Sequence, residues 1–365
     1  MSPELGVIEG YYGKPWSWEE RAETAAFLAG HGYRFYLYAP KADPWLRVRW
    51  RELHRSAIAD SLIRLGDRCR ALGVRFGVGL SPVGLHLDFD SSAKDVLARK
   101  LASLDALGIQ DLALLFDDMR GDTPGFTGSL ADSQAEIVGW VAERMGADRL
   151  FVCPSYYSDD PVLDRVFGAR PERYLERLGE LLDPSIHLFW TGEEVCARAI
   201  TPGHLDRVAE QMRRKPFLWD NYPVNDGERM SRFLHVRGFT GRPSAIANSL
   251  AGHGINPSLQ PTLARIPALT LVESYERGDR YAYGAATRTA AIAVLGTELG
   301  DQLWRDVLQL QDVGLERLGD RAAELRARYA AHDHPGAREV VAWLDGAYRI
   351  TDAIVQAQSG DDFTG

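Results

Sequence analysis

Apolar runs of strand length recur eight times along the first two thirds of the chain, and each run ends in polar or small residues. The runs are Gly6–Tyr12, Phe35–Lys41, Arg75–Pro82, Leu112–Asp118, Leu150–Tyr157, Ile186–Gly192, Pro216–Tyr222 and Ser244–Ala251. A short apolar run bounded by polar residues is typical of a buried strand in a parallel sheet. Helical periodicity fills most of the segments between them, for example Trp18–Gly30, His54–Leu72, Ala93–Leu107 and Leu130–Met145.

Strand and helix patterns that alternate eight times over roughly 270 residues are typical of a (β/α)8 barrel. A doubly wound open sheet is the rival interpretation. It usually contains fewer such units, and no GxGxxG sequence follows the first strand here. We therefore predict an α/β fold, a (β/α)8 TIM barrel followed by a small C-terminal α-helical region.

The pattern changes after Gly278, where strand-like runs end. Helical spacing of Ala, Leu, Arg and Glu follows in Ala286–Leu318, Arg321–Ala331 and Ala337–Gln358. We predict a catalytic barrel over residues 1–278 and a helical region over 279–365, packed on the barrel or used to form a homodimer. The tail from Gln358 to Gly365 is expected to be disordered.

Composition and charge exclude several classes of protein. The net charge is -9 with acidic and basic residues interleaved, so we expect no nucleic-acid partner and no anionic membrane surface. The three cysteines, Cys69, Cys153 and Cys196, form no CxxC pattern and predict neither a disulfide framework nor a zinc site. Neither a signal peptide nor a run of 18 apolar residues is found, so a cytoplasmic location is expected.

Polar side chains follow the predicted strands, where a barrel builds its active site. The fourth run ends in Asp117-Asp118, a pair that taken alone more often belongs to a turn capping the next helix. The other strand ends contribute Glu9–Gly13, Lys41, Ser155–Tyr157, Trp190–Gly192, Trp219–Asp226 and Asn256. Together these carboxylates, amides, indoles and one cation suit a polyhydroxylated neutral ligand.

Competing chemistries find little support in the sequence. No GxSxG, Walker or HExxH motif occurs. His86, Asp88 and Asp90 alternate as metal ligands could, although a polar loop explains them more simply. A Mg²⁺-dependent phosphohydrolase could use the two adjacent Asp residues, but no basic phosphate-binding cluster accompanies them. We therefore predict no metal and no cofactor.

The adjacency of Asp117 and Asp118 restricts the possible glycosidase mechanism. In the standard mechanisms two carboxylates flank the scissile bond, and neighbouring residues cannot easily do so. They fit the substrate-assisted exception, in which the 2-acetamido oxygen of the sugar attacks the anomeric carbon. Neighbouring side chains on a regular strand point to opposite faces, so both can reach a ligand only if the chain leaves strand geometry there.

The strand-end motifs as a set resemble family 84 of the glycoside hydrolases, the β-N-acetylglucosaminidases that include protein O-GlcNAcases and hyaluronidase-like enzymes. The matching pieces occur in the family's order from residue 6 to about residue 257. They are Gly6–Trp16, Tyr36–Lys41, Leu115–Asp118, Cys153–Tyr157, Trp190–Gly192, Trp219–Tyr222 with Asp226, and Asn256-Pro257.

The resemblance implies a role for individual residues. Asp117 would orient and polarise the acetamide, and Asp118 would be the general acid and base. Trp219 would line the pocket for the acetyl methyl group, and Glu9 would be structural. The remaining substrate-binding residues implied by the resemblance or by their place at a strand end are Gly10, Lys41, Tyr157, Thr191, Asn221, Asp226 and Asn256.

Two departures from the family pattern bear on substrate preference. Ala42 precedes Asp43 where the family often has two acidic residues, and Ser155 stands where Thr is common. We predict a retaining exo-β-N-acetylglucosaminidase that acts through an oxazoline on a glycoside, glycan or glycoprotein. The alternative is a catalytically silent barrel that binds amino sugars. The identity of the natural aglycone is left open.

Overall fold

A computed structural model describes residues 2–117, 120 and 128–359 of the chain. Its parallel strands close into one barrel in chain order, with β8 hydrogen-bonded to β1. The strands are β1 Leu5–Glu9, β2 Tyr33–Tyr38, β3 Arg75–Leu80, β4 Asp111–Leu115, β5 Arg149–Cys153, β6 His187–Trp190, β7 Phe217–Asp220 and β8 Gly252–Ile255. The predicted (β/α)8 TIM barrel is confirmed.

Helices surround the barrel and continue beyond it. They are α1 Trp18–Ala29, α2 Ser56–Ala71, α3 Ser91–Asp105, α4 Leu130–Ala142, α5 Pro161–Phe167, α6 Tyr174–Leu181, α7 Pro202–Met212, α8 Arg265–Arg277, α9 Tyr283–Leu295, α10 Thr297–Leu308, α11 Arg321–Ala330, α12 Pro335–Leu344 and α13 Asp352–Ser359. Local sequence sets their ends: at α1 the Ser17 hydroxyl accepts from Glu20 N and the Glu20 carboxylate accepts from Ser17 N, which is a capping box. Of the helices described, none is both long and apolar enough to cross a membrane.

The eighth strand is not where the apolar pattern predicted it. The run Ser244–Ala251 was expected to be a strand, but Ser244–Ser249 is a 3-10 helix and β8 begins only at Gly252. A Cβ at Gly252 would lie 2.4 Å from the Phe217 ring, and one at Gly254 would lie 2.4 Å from Ile8 Cδ1. Large side chains of the neighbouring strands fill the barrel here, so β8 needs glycine and has little strand propensity of its own.

The C-terminal helices pack against the loops at the carboxyl end of the barrel. Leu303 and Trp343 share a hydrophobic cluster with Tyr11 after β1, Val224 after β7 and Leu259 after β8. The barrel interior holds a separate cluster that includes Phe35, Phe151, Phe217 and Trp219. The carboxyl end of the barrel is therefore enclosed partly by residues from beyond position 278, and the division into two domains remains a prediction.

Two predicted C-terminal helices are each interrupted. Ala286–Leu318 is broken at Gly296, whose φ of 80° ends α9, and Ala337–Gln358 is divided into α12 and α13 by residues 345–351. Gln358 and Ser359 were predicted to belong to a disordered tail, but both lie in α13. Tertiary contacts made by Gln358 hold this end of the chain. Residues 360–365 lie outside the described part.

Candidate active site

A cavity of about 310 Å³ opens at the carboxyl ends of the strands. Nine of the ten residues predicted to form the site line it: Gly10, Lys41, Asp117, Tyr157, Thr191, Trp219, Asn221, Asp226 and Asn256. The tenth, Asp118, lies outside the described residues. Side chains that are separated by up to 246 positions in the sequence therefore meet at one place, because the carboxyl ends of parallel strands share one edge of the barrel.

Asp117 stands where the chain leaves β4. Phe116 N still donates to Cys153 O at 2.8 Å, and the next residue is in a turn. The Asp117 side chain is 11% exposed, and its Oδ2 lies 2.5 Å from Lys41 Nζ. Its other oxygen, Oδ1, is buried and has no hydrogen-bond partner within residues 2–117, 120 and 128–359. Buried polar atoms are normally satisfied, so an incomplete carboxylate beside a cavity is suited to accept a hydrogen bond from a ligand.

Backbone pairing beyond the strands positions Lys41. Ala39 N donates to Glu9 O and Lys41 N donates to Tyr11 O, each at 3.1 Å, which extends the pairing of β1 with β2. The Lys41 ammonium lies 5.7 Å from the centre of the Tyr12 ring. The cation is thus held by its own loop and by an aromatic face before any ligand arrives.

A chain of amides connects three strand ends. Asn221 Oδ1 accepts from Trp219 Nε1 at 3.1 Å and from Asn256 Nδ2 at 3.0 Å, while Asn221 Nδ2 donates to Val195 O. Asn256 Oδ1 in turn accepts from Gly10 N at 3.2 Å. Each amide orients the next, so the ends of β7, β8 and β1 form one rigid wall of the cavity.

Trp219 supplies the flat apolar surface of that wall. Its indole meets the Phe189 ring edge-on at 5.2 Å between centroids and is 5% exposed. A Cβ added at Gly10 would lie only 2.2 Å from the indole, so glycine is required there. On the other side Thr191 N donates to Tyr157 O at 3.0 Å, which aligns the ends of β5 and β6.

Asp226 follows β7 in a long loop and holds the loop after β1. One of its carboxylate oxygens accepts from Tyr12 N at 2.9 Å. Asp226 therefore links two segments of the rim by a charge-assisted hydrogen bond, which is stronger than a neutral one.

Two other carboxylates near the site are saturated with hydrogen bonds. Glu9 is fully buried; Arg21 binds both its oxygens, and Tyr36 donates to one at 2.7 Å. Asp220, directly before Asn221, is bound by Arg242 and His253. Burial alone would raise the pKa of Asp220, but Arg242 outweighs it and lowers the pKa to about 2. Both groups hold strands in place and have no free acceptor for a ligand.

Val355 is a lining residue that sequence reasoning missed. It belongs to α13, whose Gln358 accepts from Gly13 N at 2.8 Å and donates to Gly13 O at 3.1 Å. Ser359 Oγ donates to Tyr12 OH at 3.2 Å. Nothing in the local sequence around Val355 predicts that its helix contacts residues some 345 positions earlier in the chain. Cys153, Val195, Cys196 and Gly227 also line the cavity and were not predicted, whereas Tyr12 and Val224 belong to strand-end segments already named from the sequence.

The alternating residues His86, Asp88 and Asp90 do not form a metal site in the described structure. His86 Nε2 lies 3.1 Å from Arg120 O, and Asp90 caps α3 by accepting from Ala93 N at 2.8 Å. Among the described residues, no group of three or more His, Cys, Asp or Glu side chains is suited to hold a metal ion.

Comparison with known proteins gives one family. Residues 5–305 match the family described as beta-N-acetylglucosaminidase. Protein O-GlcNAcase of Mus musculus and that of Rattus norvegicus are each 32% identical to this chain over 279 residues, which are 74% of this chain and 30% of the relative. The chain therefore spans about a third of the length of these curated relatives.

Solved structures agree with this match. A point mutant of the O-GlcNAc hydrolase of Thermobaculum terrenum superimposes with a TM-score of 0.77 and 26% identity, over 97% of this chain and 83% of that one. CpGH84B superimposes with a TM-score of 0.74 and 22% identity, over 94% of this chain and 67% of that one, which shows the fold alone. The family match over residues 5–305, together with the identity to the curated relatives, shows that this chain belongs to the β-N-acetylglucosaminidases of glycoside hydrolase family 84.

Proposed function

We propose that the chain is a retaining exo-β-N-acetylglucosaminidase of the O-GlcNAcase type that works by substrate-assisted catalysis. The observation that supports this most directly is Asp117: one oxygen is paired with Lys41 and the other is buried without a partner among the described residues. The N–H of a 2-acetamido group is a donor that would satisfy Oδ1. A carboxylate placed in this way orients an acetamide and does not need to attack carbon itself.

In the first step the acetamide oxygen attacks the anomeric carbon and the bond to the leaving oxygen breaks. Asp118 gives its proton to that oxygen, and the sugar becomes a bicyclic oxazolinium ion, the protonated form of the oxazoline. Positive charge develops on the acetamide nitrogen, and the Asp117 carboxylate stabilises it through the N–H hydrogen bond. Tyr157, on the adjacent strand end, supports the acetamide, and the Trp219 indole encloses its methyl group.

In the second step the Asp118 carboxylate takes a proton from water while the water oxygen attacks the anomeric carbon. The bond between that carbon and the former acetamide oxygen breaks, which restores the acetamide and the protonated Asp118. Two inversions give net retention of configuration. Neither step needs a metal or a cofactor.

The dimensions of the cavity favour exo action on one terminal sugar. At about 310 Å³ it is at the small end of the range of ligand pockets, roughly 300–1,000 Å³. Lys41, Asp226 and Asn256 supply polar groups for the sugar hydroxyls. We propose a terminal β-linked N-acetylglucosamine on a glycoside, glycan or glycoprotein as substrate, because the related mouse and rat proteins are named protein O-GlcNAcases. A cytoplasmic location and a homodimer formed through the C-terminal helices remain predictions.

The test is hydrolysis of 4-nitrophenyl β-N-acetylglucosaminide by wild type, Asp117→Ala and Asp118→Ala in the presence of EDTA. Asp60→Asn, an exposed position on α2, serves as the matched control. We expect turnover by wild type and the control, strong impairment of Asp117→Ala, and a smaller loss for Asp118→Ala because this aryl leaving group needs little protonation. A thiazoline fused to the sugar, which mimics the oxazoline, should inhibit the wild type. NMR of the first-formed product should show the β-anomer.

Leaving-group dependence separates the two aspartates. Asp118→Asn should lose most activity on an alkyl glycoside, which needs protonation, and less on the activated aryl glycoside. Equal losses on the two substrates would contradict the general-acid role. Tight thiazoline binding without turnover would instead favour the catalytically silent barrel, and the α-anomer as first product would exclude retention.

A further inference from the structure

A second cavity of about 1230 Å³ adjoins the sugar-sized cavity. The two share three lining residues, Cys196, Asn221 and Gly227. A substrate whose terminal sugar occupies the small cavity can therefore extend its aglycone into the large one. We call this large cavity the aglycone groove.

The acidic side chains that line the aglycone groove are all engaged. Asp160 accepts from Val162 N and Val195 N, which uses both carboxylate oxygens. Glu228 binds Arg232 at 2.6 Å, and Asp312 is paired with Arg237. The charges of Glu228 and Asp312 are therefore compensated by arginines, and both oxygens of Asp160 are occupied by backbone N–H groups.

The basic side chains divide into two classes. Arg242 is buried on Asp220, and Arg237 is paired with Asp312. Arg198 and Arg229 are exposed, and the described structure gives neither guanidinium a hydrogen-bond or ion-pair partner. The groove thus presents two uncompensated cations in a chain whose net charge is -9. Guanidinium groups are well suited to carboxylates, which they bind through two parallel hydrogen bonds.

The apolar part of the lining suits a polypeptide better than a polysaccharide. Val162 and Met230 offer aliphatic surface for side chains. The aromatic rings are already packed: Tyr222 stacks on His235 at 5.7 Å and meets Phe239 edge-on, and Phe233 lies against the Gly314 backbone. These rings therefore offer no open aromatic face on which a sugar chain could stack.

We propose that the aglycone groove binds an acidic polypeptide segment of the substrate and that Arg198 and Arg229 determine this specificity. The proposal rests on the proposed glycosidase function and adds to it the class of aglycone. The two arginines act on the aglycone and take no part in bond cleavage. Their removal therefore leaves the hydrolysis of a small aryl glycoside unchanged.

The experiment uses two dodecapeptides with one central O-linked N-acetylglucosaminyl serine. They differ only in that flanking Glu and Asp residues in one are Gln and Asn in the other. Wild type should show a kcat/KM about tenfold higher for the acidic peptide at low salt, a preference that falls as ionic strength rises. Arg198→Ala and Arg229→Ala should each lose about threefold on the acidic peptide through KM, and the double variant about tenfold.

Three controls make the effect specific. Arg68→Ala removes an exposed arginine of α2 that lines neither cavity and should change nothing. 4-Nitrophenyl β-N-acetylglucosaminide, whose aglycone is too small to fill the groove, should be hydrolysed equally by all variants. Arg198→Glu with Arg229→Glu should reverse the preference toward a third peptide that carries Lys at the flanking positions.

The outcomes separate this inference from the glycosidase function. Turnover of the aryl glycoside with equal kcat/KM for the two peptides would overturn the groove assignment and leave the function intact. If no substrate is turned over, fluorescence anisotropy of the labelled peptides decides: arginine-dependent preference for the acidic peptide supports the groove, and its absence overturns it. Arginine-dependent binding of a hyaluronan oligosaccharide without any peptide preference would overturn the polypeptide assignment.

Discussion

Strand β4 carries an aspartate near each end, and the two have opposite surroundings. At the amino end Asp111 is 2% exposed, and both of its oxygens are bound, by Arg75 and by Arg149. At the carboxyl end Asp117 has one oxygen on Lys41 and the other without a partner in the described chain. The same residue type on one strand is thus structural where its hydrogen bonds are complete and available for chemistry where they are not.

The difference follows from what surrounds each end of the barrel. The amino end is held by strand residues such as Arg75 and Arg149, which come from the neighbouring strands themselves. The carboxyl end is built from longer loops and from the C-terminal helices, and these leave a cavity. In TIM barrels the residues at the amino end of the strands mainly serve stability, and those at the carboxyl end carry catalysis.

The largest effect expected is on activity at Asp117. Asp117→Asn keeps the shape of the side chain but removes the charge that would stabilise the acetamide nitrogen, so kcat should fall by about 10³-fold. The free energy of unfolding should also fall, because the neutral amide no longer compensates the buried Lys41 ammonium. Steady-state kinetics and urea unfolding measure the two quantities on one protein. A kcat close to that of wild type would contradict the assignment of Asp117 as the available carboxylate.

Glu339 tests a third arrangement, a buried carboxylate whose partners are neutral. It accepts from Thr262 N and Leu263 N, each at 2.9 Å, and burial raises its pKa to about 7. A raised pKa in the folded state gives stability that is complete below the unfolded pKa of about 4.3 and lost as pH rises toward 7.

Glu339→Gln does not titrate and should remove this dependence. The stability of wild type relative to the variant should fall by about 3 kcal/mol between pH 4.5 and pH 8. Urea unfolding at several pH values measures it. Glu324→Gln, an exposed position on α11, is the control and should run parallel to wild type. If the free energy of unfolding of Glu339→Gln also ran parallel to that of wild type across this pH range, burial of the ionised Glu339 would cost little.

Asp111→Asn should lower stability but, unlike Asp117→Asn, should not lower activity. Two arginines would lose their shared charge partner, so the free energy of unfolding should fall by about 2 kcal/mol, less than for a fully buried pair because both arginines are partly exposed. Turnover should stay within about twofold of wild type. Asp148→Asn is the control, since this exposed aspartate also contacts Arg75 but should matter little. A fall in kcat without loss of stability would break the comparison between the two ends.

The smallest effect is expected where α13 contacts the rim. Gln358→Ala removes two hydrogen bonds to Gly13, which should weaken the docking of α13 by about 1–2 kcal/mol. Because Val355 then lines the cavity less firmly, KM for the aryl glycoside should rise severalfold while kcat changes little. Gln356→Ala, an exposed neighbour on the same helix, is the control. An unchanged KM would mean that α13 does not contribute to substrate binding.

The sequence alone determined the fold class, the family and which side chains come together at the carboxyl end. Strands that are buried on both faces can be recognised in the sequence as continuous apolar runs. Polar residues that follow such strands must meet at one edge of a closed barrel. For that reason Gly10, Asn221 and Asn256, which are distant in the chain, could be assigned to one site before their contacts were known.

Tertiary structure alone decided the rest. Packing decided the position of strand β8. Large side chains from β1 and β7 leave room only for glycine at Gly252 and Gly254, and glycine carries no strand signal. Val355 reaches the cavity because Gln358 binds the Gly13 backbone, a contact that no local pattern encodes. The unequal bonding of Asp111 and Asp117 likewise depends on which cations lie nearby in space. Hydrophobic periodicity predicts which face of a segment is buried. The distant residues that this face will contact are known only from the folded structure.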